Sequence, residues 1–366
     1  MLPLNRPGNP SKKFKKQPLL SNGLKGLEKR FFFTANDGLN YVYQLLYEKH
    51  GSLRVAVSPL ACFQALYPIV LNGHTPVLVD VDKFSFILDV SHVDQWPEVD
   101  AVEIVYMGGG AVDLAPIVER KWIVIEDCAQ AMGGKWQDKW LGTIGDYGVY
   151  SILKNVYFPA GLVVSRRNQL DAMNFQSVPQ WVYYYKWIKS FLESHASYQP
   201  SIINSLYGML LRFRAHGEDC KNSVRCVQGA KSIENKLLYL ESMNDKRRSN
   251  ALYIQQNVNN ENIVWQQCPK ESFSTYNRLL FVSKNRLAKE IIIHLRKRGI
   301  AANNLTQSYI HPWQEPVWQD ELLKSYYFAE SLPIYNCIID RVVAVPNSPF
   351  LTEREIDYMV QELNGL

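Results

Sequence analysis

One short apolar run followed by acidic residues constrains the possible fold of this chain most strongly. Residues 122–125 (Trp-Ile-Val-Ile) are apolar and rich in β-branched side chains, and Glu126 and Asp127 follow them directly. Such a run is typical of a strand buried within a parallel sheet. Open α/β sheets bind ligands beyond the carboxyl ends of their strands. The pattern therefore predicts that the Asp127 carboxylate lies at a ligand-binding edge.

A second run of this kind, residues 147–152, ends just before Lys154. If both strands belong to one sheet, Lys154 and Asp127 converge on one crevice. A pyridine aldehyde cofactor needs an amine that can bond to it and an anion at its ring nitrogen, and these two side chains can supply both. Taken singly, each residue has a commoner explanation, Asp127 as a helix N-cap and Lys154 as a solvated loop residue.

The rest of the chain alternates predicted strands and helices, which is typical of a mostly parallel sheet flanked by helices. The predicted strands of this part are 54–57, 76–81, 101–106 and 161–165, and a helix is predicted over 39–47. A long helix is predicted over 232–258. It is followed by a compact α/β unit with strands at 277–282 and 341–345 and helices at 285–298 and 353–363. We expect a large domain, 1–245, and a small C-terminal domain, 246–366.

Three motifs resemble a known family. They are Asn72–Asp82 (Asn-Gly-His-Thr-Pro-Val-Leu-Val-Asp-Val-Asp), Ile125–Ala131 (Ile-Glu-Asp-Cys-Ala-Gln-Ala), and Gly-Asp, Tyr-Ser and Lys-Asn within Gly145–Asn155. They are similar to segments of the DegT/StrS family of sugar aminotransferases, and the resemblance covers nearly the whole chain. It implies an α/β protein with the fold type I architecture and pyridoxal 5'-phosphate as cofactor.

The resemblance also implies roles for individual residues. Lys154 would anchor the cofactor, Asp127 would pair with the pyridinium nitrogen, Gln130 would contact the ring hydroxyl, and Ser151 would hold the phosphate. Each role suits the donors and acceptors that the side chain offers.

Three further positions depart from the family pattern. Ala35 and Asn36 stand where the family has a phosphate-binding Gly-Thr pair at the start of a helix, where free N–H groups favour an anion. Cys62, next to Phe63, stands where the family often stacks an aromatic ring on the cofactor. We expect all three positions, 35, 36 and 62, to contact the cofactor.

Two other departures concern spacing and subunit contacts. Ser151 and Lys154 are three residues apart where the family usually has five, which predicts a shortened turn that the lysine can still bridge. The family's Asn-Tyr-Arg-Met segment, which reaches into the neighbouring subunit, is absent. Asn222 and Arg225 lie in the corresponding stretch without its aromatic residue.

Composition excludes several other classes of protein. A chain of 366 residues that is 47% hydrophobic can bury a large core. The net charge of +5 is too modest for a nucleic-acid-binding protein. Six irregularly spaced cysteines indicate reduced thiols in a cytoplasmic protein, and we predict no signal peptide or transmembrane segment. His216, Cys220 and Cys226 lack the spacing of a zinc site, so we predict no metal.

Gly108–Gly110 lacks the dinucleotide-binding fingerprint, so a strand-to-helix turn is the preferred interpretation.

The aromatic-rich segment 181–213 could cover the substrate, lie against a membrane or build a dimer interface, and burial in an interface or core is favoured. The family implies a homodimer.

The resemblance implies transfer of an amino group from a donor such as glutamate to a nucleotide-linked keto-sugar, for surface polysaccharides or secondary metabolites. Three alternatives stay open. The substrate could be another ketone or aldehyde, or the protein could be a degenerate member acting as a scaffold or regulatory partner. Some relatives dehydrate sugars with a histidine replacing the lysine, and Lys154 argues against that reaction.

Overall fold

The computed structural model describes residues 10–166, 170, 176–177, 225–226, 230–304 and 331–366. The predicted aromatic-rich segment 181–213 lies outside these residues, as do Asn222, His216 and Cys220. The strands of the described part are β1 (Glu28–Phe32), β2 (Arg54–Val57), β3 (Thr75–Leu78), β4 (Ala101–Val105), β5 (Ile123–Asp127), β6 (Lys135–Trp136), β7 (Lys139–Trp140), β8 (Tyr147–Ser151), β9 (Gly161–Ser165), β10 (Gln176–Ser177), β11 (Arg225–Cys226), β12 (Ile263–Trp265), β13 (Ser272–Phe273), β14 (Leu279–Ser283) and β15 (Val342–Val345).

Helices connect most of these strands and cover the sheet. The α-helices of the described part are α1 (Leu19–Gly23), α2 (Ala35–His50), α3 (Phe63–Leu71), α4 (Ala115–Val118), α5 (Ile152–Val156), α6 (Ala230–Leu237), α7 (Leu240–Asn257), α8 (Ala288–Lys297), α9 (Pro333–Ile338) and α10 (Glu353–Asn364). Short 3₁₀ helices span Pro10–Lys12, Val90–Gln95 and Met107–Gly109.

The largest sheet has the strand order β10-β11-β1-β9-β8-β5-β4-β2-β3. The five neighbours β8, β5, β4, β2 and β3 are parallel, whereas β9 is antiparallel to both β8 and β1. Every residue of β4, β8 and β9 is buried, as expected for strands covered on both faces. The predicted, mostly parallel α/β sheet is confirmed.

A second hydrophobic core lies in the C-terminal part. Strands β12, β14 and β15 form an antiparallel sheet, and helices α7, α8 and α10 pack their apolar side chains with it. The predicted division after residue 245 falls within α7, so the helix belongs to both predicted domains. The division remains a prediction.

The long helix predicted over 232–258 is wrong in one respect, because α6 and α7 are separate helices. The chain turns at Leu238–Tyr239, where the Leu238 carbonyl accepts the N–H of Gln17 and not one from the following helical turn. Helix α6 therefore ends where a distant segment bonds to the backbone carbonyl that follows it, although no proline or glycine is present there. No helix in the described part is both long and apolar enough to cross a bilayer.

Candidate active site

The carboxyl ends of β5 and β8 bring the two key side chains together. The strands are adjacent and parallel, with Asp127 opposite Val149, so Asp127 ends one strand while Ser151 ends the other. Lys154 follows in the first turn of α5. The Asp127 side chain is buried, and its Oδ1 accepts the N–H of Ala129 at 2.8 Å.

The positive charge of Lys154 acts on the Asp127 carboxyl. Burial raises the pKa of the Asp127 carboxyl, while the charge of Lys154 and the Ala129 N–H act in the opposite direction. A cation that counters the desolvation of a buried carboxylate must lie close to it. The predicted pair is therefore gathered at one edge of the sheet.

The short interval between Ser151 and Lys154 has a simple structural origin. Ser151 is the N-cap of α5, and its Oγ accepts the N–H of Lys154 at 3.4 Å. An N-cap side chain accepts the N–H of the third helical residue, so Lys154 lies three positions after Ser151. A single helical turn thus takes the place of a longer loop and keeps the lysine at the strand end.

Helix α2 starts beside this strand end. Its N-cap Thr34 accepts the N–H of Asp37 at 3.0 Å and donates its own hydroxyl to the Asp37 carboxylate at 2.5 Å. The N–H groups of Ala35 and Asn36 have no partner within the helix, because they belong to its first turn. Two backbone donors and the Asn36 amide are therefore available to an anion at this terminus.

A glycine places that terminus against Ser151. Gly161 is the antiparallel partner of Ser151, and a Cβ built on Gly161 would lie 2.4 Å from the carbonyl carbon and oxygen of Thr34. Only a residue without a side chain allows this approach. The helix N-terminus and the Ser151 hydroxyl thus both adjoin Gly161, and their donors suit a phosphate, so the residues fit the predicted cofactor.

Gln130 and Cys62 follow the carboxyl ends of β5 and β2. Gln130 is buried, and its Oε1 accepts the N–H of Gly108 at 3.1 Å, which leaves the amide NH₂ as its donor toward a ligand. The half-buried Cys62 is the N-cap of α3. Gln130 thus lies three residues beyond Asp127, whereas Cys62 lies beyond the end of β2, two strands away from β5. The roles predicted for both residues remain predictions.

The predicted turn at Gly108–Gly110 is instead a 3₁₀ helix over Met107–Gly109, and α4 begins only at Ala115. Gly109 has a φ of 85°, and a Cβ there would lie 2.0 Å from Thr275 Oγ1. The glycines therefore allow the C-terminal part to approach the strand ends closely. The described residues contain no group of three or more side chains suited to a metal.

Sequence reasoning missed the supports of the lysine segment. Asn277 Nδ2 donates to the Lys154 carbonyl at 2.9 Å, and Asn155 Nδ2 donates to the Ala129 carbonyl at 3.0 Å. Arg247 Nη2 donates to the Asn155 carbonyl at 2.7 Å. The only sequence signal was the position of Asn277 and its polar neighbour at the start of a predicted apolar strand.

The fold is the fold type I architecture, which the chain shares with solved sugar aminotransferases. The chain belongs to the DegT/DnrJ/EryC1/StrS aminotransferase family, whose model matches residues 35–177 and 227–364. This family consists of aminotransferases that use pyridoxal phosphate. The predicted family, fold type, enzyme class and cofactor are thereby confirmed at the level of the family.

Two curated relatives are nucleotide-sugar enzymes by name. The chain is 34% identical over 113 residues to GDP-perosamine synthase of Escherichia coli O157:H7, a match covering 29% of this chain and 31% of that protein. It is 24% identical over 306 residues to dTDP-3-amino-3,6-dideoxy-alpha-D-galactopyranose transaminase of Aneurinibacillus thermoaerophilus, covering 82% of this chain and 75% of the relative. The first match thus spans less than a third of its relative.

Two solved structures share the fold over almost the whole chain. A sugar aminotransferase from Micromonospora echinospora has a TM-score of 0.68 at 18% identity, with 100% of both chains covered. The E. coli GDP-4-keto-6-deoxy-D-mannose-3-dehydratase, solved with hydrated pyridoxal phosphate, has a TM-score of 0.69 at 15% identity, covering 98% of this chain and 92% of that one. At these identities the likeness establishes the fold alone.

Proposed function

We propose that this protein transfers an amino group from an amino acid such as glutamate to a keto-sugar linked to a nucleotide. The observation that supports this most directly is the convergence of Lys154 and Asp127 at the ends of two adjacent parallel strands. The names of the two curated relatives support a nucleotide-sugar acceptor. We further propose that the product serves surface polysaccharide or secondary-metabolite sugar synthesis.

When bound, pyridoxal phosphate supplies an electron-poor ring that stabilises negative charge on the substrate carbon losing a proton. Lys154 holds the aldehyde end of the cofactor in this proposal. Once an amino donor had taken its place, the Lys154 amine would accept the proton from the α-carbon of the donor as a general base and later release it as a general acid. Its place after the N-cap Ser151 keeps the amine beside Asp127 throughout.

Asp127 keeps the ring nitrogen protonated. A buried carboxylate beside a ring N–H forms a charge-assisted hydrogen bond, which is stronger than a neutral one. Burial alone raises the pKa of the Asp127 carboxyl, so this anion is favoured only with cationic partners. Lys154 is one such partner, and the ring N–H would be the second.

The other predicted residues contact different parts of the cofactor. Ser151, Ala35 and Asn36 hold the phosphate, the amide of Gln130 donates to the ring hydroxyl, and Cys62 lies against the ring face.

We also propose that residues 1–245 and 246–366 are the two domains. We further propose that the enzyme is a cytoplasmic homodimer, with no nucleic acid as partner.

The test is the visible absorption of the protein with pyridoxal phosphate, before and after L-glutamate. Wild type should show a band that glutamate bleaches, whereas Lys154→Ala should show neither effect. Borohydride reduction and peptide mass spectrometry should place the cofactor on the peptide containing Lys154. Exposed Lys139→Ala is the matched control and should behave as wild type.

Acceptor specificity needs a second measurement. Amino transfer from L-glutamate should be followed by mass spectrometry on a panel of GDP-linked and dTDP-linked keto-sugars. Bleaching without amination of any sugar would indicate a different ketone or aldehyde. Absence of any band with wild type would contradict the proposed reaction and favour a non-catalytic scaffold.

A further inference from the structure

A cavity lies at the amino ends of β5 and β8, the two strands whose carboxyl ends carry the candidate active site. This amino-end cavity has a volume of about 330 Å³, and Trp122, Val124 and Asp146 are among the residues that line it. Asp146 precedes β8, and Ser151 ends the same strand. At about 3.3 Å per residue, roughly 16 Å of strand separates them. The amino-end cavity is therefore distinct from the candidate active site.

Two arginines from separate segments line the amino-end cavity. Arg120 follows α4, and Arg166 follows β9. Arg166 Nη1 donates to the Ile144 carbonyl at 2.7 Å, and Arg120 Nη2 contacts the Asp94 carboxylate. Each guanidinium carries five N–H donors, and these are the side-chain hydrogen bonds that the described part of the chain gives them. Most donors of both arginines can therefore bind a ligand.

Both arginines are held in position. The Arg120 guanidinium lies over the ring of Trp122, 5.4 Å from the ring centroid. Trp122 in turn stacks on Trp96, with ring centroids 5.7 Å apart and planes 7° from parallel. The backbone N–H of Arg166 donates to the Asp146 carbonyl at 3.3 Å. A side chain that is already positioned loses less conformational entropy when a ligand binds.

Part of the cavity wall is fixed from inside the protein. Ile144 and Gly145 line the cavity, and their N–H groups donate to Glu126 Oε1 at 2.7 and 2.6 Å. Glu126 itself is completely buried. The wall is thus formed before any ligand arrives, as is usual for small-molecule sites.

The charge of the amino-end cavity favours an anion. Among the described residues that line it, Asp146 is the one carboxylate beside two arginines. Asp146 Oδ2 accepts the N–H of Val124 at 2.9 Å. The Asp94 side chain is 83% exposed, so water screens its pairing with Arg120. The net positive charge that remains attracts a negative ligand.

We propose that the amino-end cavity binds the phosphate group of a small phosphorylated metabolite. A planar carboxylate is satisfied by a single guanidinium, whereas a tetrahedral phosphate offers oxygens to two arginines from different directions. The volume is at the lower end of the range for small-molecule sites, which suits a sugar phosphate. This site is separate from the proposed amino transfer and does not depend on it.

The test is calorimetric titration of α-D-glucose 1-phosphate into protein saturated with pyridoxal phosphate, so that the cofactor site is filled. Wild type should bind the probe saturably. Arg120→Gln and Arg166→Gln should each weaken binding roughly 10- to 100-fold, as for loss of charged hydrogen bonds. Arg341→Gln is the matched control and should bind as wild type, because exposed Arg341 also donates one Nη1 bond to a backbone carbonyl.

Further measurements separate the phosphate site from a structural role. Arg120→Gln loses no bond to the backbone, so it should keep the melting temperature and the pyridoxal-phosphate affinity of wild type. A marked fall in either would assign Arg120 to the fold and overturn the proposal. Arg166→Lys keeps the charge and should recover part of the binding lost in Arg166→Gln.

Two other probes identify the ligand chemistry. Glucose should not bind, and inorganic phosphate should compete with glucose 1-phosphate but bind more weakly. Equal affinity for inorganic phosphate would overturn the assignment to a metabolite, because the sugar would then contribute nothing. Absence of saturable binding to wild type, or equal affinities for wild type and both glutamine variants, would overturn the site itself.

Discussion

Glu126 offers a sharp test of how the strand end is held together. This carboxylate is fully buried, and four donors face its two oxygens. Oε1 accepts the N–H groups of Ile144 (2.7 Å) and Gly145 (2.6 Å), and Oε2 accepts the Tyr106 hydroxyl (2.8 Å) and the Gly142 N–H (2.7 Å). It thereby fixes the loop that enters β8, the strand that ends at the lysine segment.

The Glu126→Gln substitution keeps the shape of the side chain but replaces one carboxylate oxygen by an NH₂ group. This group cannot accept the two hydrogen bonds that the oxygen accepted. Hydrogen bonds to charged groups contribute about 1.5–3 kcal/mol each, so the loss of two predicts destabilisation by about 3–6 kcal/mol. Glu103 on neighbouring β4 is a matched control that is equally buried. It accepts only the Tyr43 hydroxyl, and its Oε1 has no partner among the described residues. Glu103→Gln should therefore not lower the free energy of unfolding at neutral pH.

Urea unfolding followed by tryptophan fluorescence measures both substitutions at neutral pH. With an m-value of about 3 kcal/mol per M, Glu126→Gln should lower the midpoint by about 1–2 M. Pyridoxal-phosphate affinity should fall with it, because the loop positions β8. Equal midpoints for the Glu126 and Glu103 variants would refute the argument that the number of facing donors determines the cost.

Three further predictions concern other parts of the structure. Burial raises the pKa of Glu103 well above 4.5, so the folded protein retains a proton that the unfolded chain releases. Stability from this group should therefore decline as pH rises above 4.5, and Glu103→Gln should flatten that part of the unfolding profile. Gly161→Ala should push the start of α2 away from β9 and weaken pyridoxal-phosphate binding in fluorescence titrations, whereas Gly365→Ala, which meets no atom closer than 3.6 Å, should not. Thr352→Ala removes the N-cap of α10 and should lower the free energy of unfolding by about 1 kcal/mol, as measured in urea.

Local patterns predicted most of the regular structure. The strands expected at 54–57 and 161–165 are found with these bounds. A capping box of Thr352 and Glu355 starts the final helix. The final helix begins as expected and ends one residue later. Period, turn residues and caps are local properties of the chain, so they can be predicted before any tertiary contact is known.

The features that sequence reasoning missed depend on distant segments. The break between α6 and α7 has no proline or glycine, and the Leu238 carbonyl there bonds to Gln17, more than 200 residues away. The burial of Arg278, whose guanidinium has no hydrogen-bond partner among the described residues, is equally hard to predict from the sequence, because it results from packing between two parts of the chain. Ser151 as an N-cap was missed for the opposite reason, since the family spacing suggested a loop where the local sequence permits a helix.

Segment 275–278 is the link between the C-terminal part and the strand ends. Thr275 Oγ1 donates to the Gln130 carbonyl at 2.9 Å, Asn277 donates to the Lys154 carbonyl, and the Arg278 N–H donates to the Gly108 carbonyl. Three strand-end segments are thus joined through one short stretch. Because these bonds also position groups predicted to hold the cofactor, Thr275 and Asn277 variants should change cofactor and donor affinities together.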